Sequence, residues 1–173
     1  MVAPTRDDGS GWAERMDRLV RRIPGLGGYQ DREGLRDADK LVRAYLAELL
    51  AGLGREIEPA QRLLAEAGRL DRLPSLDRIG RQVATLADRI RFANYGFAGV
   101  FAAHTIRERE LAGLHDFDLR LLEEIPRLQS QVRVLADTAG EDQGFSEALQ
   151  ATEAAVREFE RSVDERDRLA RGL

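Results

Sequence analysis

The sequence predicts an all-α protein, a helical bundle of five to seven helices closed by a long, coiled-coil-like C-terminal helical hairpin. Three observations predict it. Ala, Leu, Glu and Arg dominate the 173 residues, and these side chains keep their rotamer freedom in a helix. Apolar residues recur at steps of three and four through most of the chain. β-branched residues never alternate over a useful length, which argues against a sheet.

Residues 1–9 read as a disordered tail, followed by one helical-bundle domain over 10–173 in which 106–173 form the long hairpin. Ser10 is placed to cap a first helix carrying Trp12, Met16, Leu19, Val20 and Ile23. The run from Pro24 to Tyr29, with Gly25, Gly27 and Gly28, ends it. A second helix spans about Asp31 to Leu53, with Leu35, Ala38, Val42, Tyr45, Leu46, Leu49 and Leu53 on one stripe and Gly52 and Gly54 as its stop. Glu58 and Pro59 open a third, shorter helix whose stripe is Leu63, Leu64, Ala67 and Leu70. Pro74 closes the next connection, and Ser75 caps a fourth helix bearing Leu76, Ile79, Val83, Leu86 and Ile90.

From Phe92 to Ala103 the chain is apolar on every side and contains Gly96 and Gly99. A long helix follows from about Ile106. Its Leu111, Leu114, Leu121, Ile125, Leu128, Val132 and Leu135 form a seam close to a coiled-coil repeat, which Pro126 should kink or break. A turn at 139–144 leads to a last helix from about Ser146, burying Leu149, Thr152, Val156, Phe159 and Val163. The short link makes the last two helices antiparallel neighbours.

Charge narrows the function classes. Formal net charge is −4, and acidic and basic residues interleave; Lys40 is the only lysine. Only residues 51–105 are weakly basic, with 8 basic and 6 acidic residues, a thin case for the basic face of a nucleic-acid binder, so no nucleic-acid partner is expected. The absence of cysteine excludes disulfides, thiolate metal sites and cysteine nucleophiles. No stretch approaches the ~18 apolar residues of a spanning helix, and residues 1–11 lack a secretory apolar core, so the expected compartment is the cytoplasm.

Four sets of residues are candidates for function. His104, Glu108, His115 and Asp118 fall on one stripe if the helix is continuous, and imidazole with carboxylate can hold a divalent metal. His104 and His115, however, are about 16 Å apart along a helix, and neither completes a Glu-x-x-His pair, so a polar helix contact is the competing reading. The acidic residues Glu108, Glu110, Asp116, Asp118, Glu123 and Glu124 could do acid–base work. With no nucleophile or phosphate loop beside them, they read instead as a solvated face or as partners of Arg32, Arg36, Lys40 and Arg43, among which Asp39 sits. The Pro24–Tyr29 turn could present backbone N–H groups to an anion but lacks the Gly pattern and lysine of a phosphate loop. Finally, Phe92, Tyr95, Phe97 and Phe101 suit a buried core helix, an oligomer interface or a wedge at a lipid surface, with Arg89, Arg91, Arg107 and Arg109 flanking them.

Ile23-Pro24-Gly25-Leu26-Gly27-Gly28-Tyr29, followed by Arg32, Arg36, Asp39 and Arg43, resembles the opening of a prokaryotic helical protein family with an Ile-Pro-Gly-x-x-Gly-Tyr turn. The stretch Ile90 to Phe101, with Leu114, Phe117 and Asp118 downstream, is similar to that family's aromatic–glycine segment. The resemblance covers about half the chain and implies a helical fold, with no particular activity, substrate or cofactor. No catalytic set and no cofactor site emerge. The sequence reading is therefore a non-enzymatic interaction or scaffold protein whose partner is another protein or a second copy of itself.

Overall fold

The computed structural model describes residues 9–28, 32–93, 108–141 and 143–172. Within these ranges the side chains of residues 9–13, 15–16, 28, 32–37, 108–112 and 171–172 are outside the description. Among the described residues there are five α-helices, one 3₁₀ turn and no strand: α1 (Gly9–Arg22), the 3₁₀ turn Leu26–Gly28, α2 (Arg32–Glu66), α3 (Leu73–Arg91), α4 (Glu108–Thr138) and α5 (Phe145–Gly172). Of the tail expected over 1–9, residues 1–8 lie outside the described residues and Gly9 already begins α1.

Helix α2 pairs with α3, and α4 with α5, so the molecule is two antiparallel hairpins side by side. Helix α2 also packs on α4, and α3 on α5, while α1 lies against α4. The shared core follows the helical stripes: Leu46, Leu50, Leu53, Ile57 and Leu64 from α2 meet Ile79, Val83 and Leu86, Leu121, Leu128 and Leu135, and Phe159 and Val163. Each fully buried aliphatic side chain contributes roughly 1.5–3 kcal/mol of transfer free energy.

Several boundaries differ from expectation, for local reasons. The expected second and third helices are one 35-residue helix that passes through Gly52, Gly54 and Pro59. Glycine and a single proline cost helix stability, but the stripe Leu53–Ile57–Ala60–Leu64 stays in register with the core and outweighs them. The stop lies instead at Gly68, whose φ of 71° only glycine adopts cheaply. Its N–H bonds Ala65 O at 3.2 Å and the Arg69 N–H bonds Leu64 O at 2.9 Å, closing the helix with a double C-terminal bond. Of the stripe assigned to a third helix, Leu64 is buried, whereas Leu63, Ala67 and Leu70 are exposed. Val20 of α1 is exposed as well.

Helix α3 begins at Leu73, before Pro74, and Ser75 does not cap it; Pro74 stands in the first turn, where its missing N–H costs nothing. Of the kink or break expected at Pro126, the break is absent: α4 runs on through it, with the buried Ile125 and Leu128 on either side holding it against the core.

The two hairpin turns share one end of the bundle and are tied there. Arg69 Nη1 donates to Gly140 O at 2.7 Å and Arg72 Nη1 to Ala139 O at 2.7 Å, with Arg72 also reaching Glu141 O. The Arg72 guanidinium lies 4.8 Å from the centre of the Phe145 ring. Two cations from one turn thus satisfy carbonyls left open at the C-terminus of α4, where the helix dipole also favours positive charge.

Candidate functional site

The opposite end of the bundle holds a buried ionic cluster. Asp39 and Arg43 come from α2 one turn apart, His115 and Asp118 from α4 at i,i+3, and Arg166 from the C-terminal half of α5. Asp39, His115, Asp118 and Arg166 are all buried, Arg166 being among the largest side chains fully enclosed by the fold. Arg166 Nε donates to Asp118 Oδ1 at 2.6 Å, and its Nη2 to Asp39 Oδ1 at 3.3 Å. Arg43 Nε donates to Asp39 Oδ2 at 2.8 Å, and Arg43 Nη1 reaches the carbonyl of Arg91 at the end of α3, at 3.0 Å. One constellation therefore links all four helices of the two hairpins.

Its charges balance: two carboxylates face two guanidinium groups. Such burial is tolerable only when each ion is paired and hydrogen-bonded. Asp118 Oδ2 is the one carboxylate oxygen of the cluster that accepts no hydrogen bond among the described residues, and it lies 4.0 Å from His115 Nδ1. Burial pushes the His115 pKa below its ordinary value; Asp118 and Asp39 oppose that shift, and Arg166 adds to it. The ring is held neutral beside a balanced cluster.

Two of the four candidate metal ligands, His115 and Asp118, adjoin in this cluster. Among the described residues no group of three or more His, Asp or Glu side chains is arranged to hold an ion. Asp118 is instead gripped by Arg166, so a cation placed there would meet like charge. His104 and the Glu108 side chain lie outside the described residues. The cluster can fix helix register and charge state.

Of the network expected between α2 and the acidic residues of α4, the side chains of Arg32, Arg36, Glu108 and Glu110 lie outside the described residues, and Asp118 takes its cation from α5. Arg43 pairs with Asp39 on its own helix, and Lys40 is exposed. Elsewhere in the acidic group, Glu123 pairs with Arg22 of α1 at 3.8 Å, and Glu124 accepts from Ser162 Oγ at 2.8 Å. Burial raises the Glu124 pKa. Sequence reading missed Arg166 altogether, although a signal was present. Phe159, Val163, Arg166 and Ala170 follow at steps of four, three and four, so an arginine occupies a core position of the stripe.

Of the aromatic candidates, Phe92 directly follows α3 and is 69% exposed. Tyr95, Phe97 and Phe101 lie outside the described residues, as does Tyr29 of the glycine turn, while Leu26 of that turn is buried against the bundle. No helix among the described residues is long and apolar enough to cross a membrane. Compared with protein families, curated proteins and solved structures, the chain matches none.

Proposed function

We propose that the chain is a non-enzymatic helical interaction protein of the cytoplasm that binds another protein, in the first place a second copy of itself. The observation that carries this reading is Phe92. A large aromatic ring stands 69% exposed where α3 ends, at the start of the run that continues with Tyr95, Phe97 and Phe101. Exposed aromatic anchors of this kind are over-represented at interface centres.

The ionic cluster supports the same reading by being closed and balanced, an arrangement suited to holding helices in place. The α4 seam offers no competing surface: its described members from Leu114 to Leu135 are buried in this chain's own core. In this reading the α4–α5 hairpin is a coiled-coil-like strut that holds the interaction end in position.

Light scattering coupled to size exclusion tests the proposal. A mass above the monomer that rises with concentration, and falls back in Phe92→Ser, is the expected result. A monomeric mass at every concentration overturns self-association.

A further inference from the structure

Helices α2 and α3 leave a groove of about 380 Å³ along their outer side. Small residues, Gly54, Gly80 and Ala84 among them, line it beside the buried Leu50, Ile57 and Ala87. A Cβ added at Gly54 or Gly80 would meet nothing within 4 Å, so this chain's own packing does not require either glycine. Glycine inside a helix is a cost, and here it keeps a groove open. Along the rim, α3 presents Asp77, Arg81, Asp88 and Arg91.

These four charges are antisymmetric about Ala84. Reversing the helix about that residue sets Asp77 opposite Arg91, and Arg81 opposite Asp88 to within one residue. An antiparallel copy of the same helix would therefore meet an opposite charge at each of the four positions. The two-fold arrangement needed for a closed dimer makes that demand of a surface: it must be its own complement. The span from Asp77 to Arg91 is about 21 Å of helix, enough to lie along the groove. At one end of it, the reversed pairing carries Phe92 over the beginning of the second copy's α3, beside the α2–α3 turn where Leu70 is 59% exposed.

We infer that the α2–α3 groove is a self-recognition surface, in which α3 of a second copy seats antiparallel and centred on Ala84. This rests on the reading of the protein as self-associating and assigns the surface that does it. Arg81 already pairs with Asp77 of its own helix at 2.6 Å, but that pair is exposed and exchanges partners at little cost. With small side chains at the centre and charges at the rim, the contact belongs to the weak, transient class of interfaces and loosens as ionic strength rises.

Sedimentation velocity over a concentration series tests it with charge-reversal variants. Arg81→Asp alone and Asp88→Arg alone each place like charges across the two-fold and should weaken dimerisation by about tenfold or more. Mixing the two variants should restore association as a heterodimer, because each supplies what the other lost. Gly80→Leu, which fills the groove without changing charge, should abolish dimerisation while leaving the circular-dichroism spectrum helical. A wild-type dimer that neither charge variant weakens overturns the groove and leaves self-association standing. A wild type that never dimerises overturns both.

Discussion

At the turn end of the bundle, arginines answer backbone carbonyls; at the opposite end, an arginine answers carboxylates. Arg69 and Arg72 are partly exposed cations that complete neutral groups at a helix terminus. Water can replace them there at modest cost. Arg166 is enclosed, and both of its partners are ions that lose water when the bundle closes. The same residue type thus trims a surface at one end and makes an otherwise impossible burial tolerable at the other. Whether the ends differ in energy as they differ in geometry is measurable.

The largest effect is expected at Arg166. Arg166→Met strips the buried Asp118 of its cation and leaves Asp39 with Arg43 alone, which should cost about 3–5 kcal/mol of folding free energy. Denaturant unfolding followed by circular dichroism measures it. The combined variant Asp39→Leu, Asp118→Leu and Arg166→Met should recover most of the loss, since well-packed apolar side chains replace such clusters at little cost. A cost for Arg166→Met of about 1 kcal/mol or less would erase the distinction between the two ends.

A smaller, pH-dependent effect comes from His115. In the unfolded chain the ring takes up a proton as pH falls through its ordinary value of 6.5; in the fold, burial keeps it neutral to lower pH. Within that window the unfolded state binds more protons, so stability is complete above 6.5 and declines as pH drops, by at most about 1.4 kcal/mol per unit. The decline ends once the folded ring also takes up its proton. His115→Gln should flatten this slope in the variant's own pH series. Glu124 acts with the opposite sign: its raised pKa lets the folded state hold a proton longer, so that contribution declines as pH rises above 4.5. An unchanged slope in His115→Gln would show that the ring's burial is not what makes this end acid-sensitive.

The inward faces of the helices were largely legible in the sequence and the ties at either end of the bundle were not, for a physical reason. Helices and their inward faces are local: Leu76, Ile79, Val83 and Leu86 announce α3 within three turns, and all four are buried. Gly144 was expected in a turn and has the positive φ of one. Helix ends misled where local cost was weighed without tertiary gain, as at Gly52, Gly54 and Pro59, which α2 absorbs. The candidate site was half visible. His115 and Asp118 were singled out together and do adjoin, as neighbours of an ion pair, while His104 and the Glu108 side chain lie outside the described residues. Their partner Arg166 stands 48 residues from Asp118 and 127 from Asp39. No spacing rule reaches across helices over that distance; only the odd presence of an arginine on the Phe159–Val163 stripe pointed inward.

The smallest effect belongs to Arg72, and it sharpens the contrast most directly. Arg72→Met keeps an apolar stem for the Phe145 ring but removes the donors to Ala139 O and Glu141 O. Glu141 is exposed and its carbonyl can turn to water, while Ala139 is buried, so the expected loss is about 1–2 kcal/mol, well below that of Arg166→Met. The loss should also be local. Hydrogen exchange should quicken at the amides that close the turn, Glu141 bonding Thr138 O and Ala148 bonding Gly144 O, while protection around Val42 and Ile90 stays unchanged. For Arg166→Met the reverse is expected, because a charge stranded in the core loosens every helix that faces it. If Arg72→Met instead lowered protection throughout the bundle, the carbonyl clamp would be a keystone of the fold and the two ends would be equals.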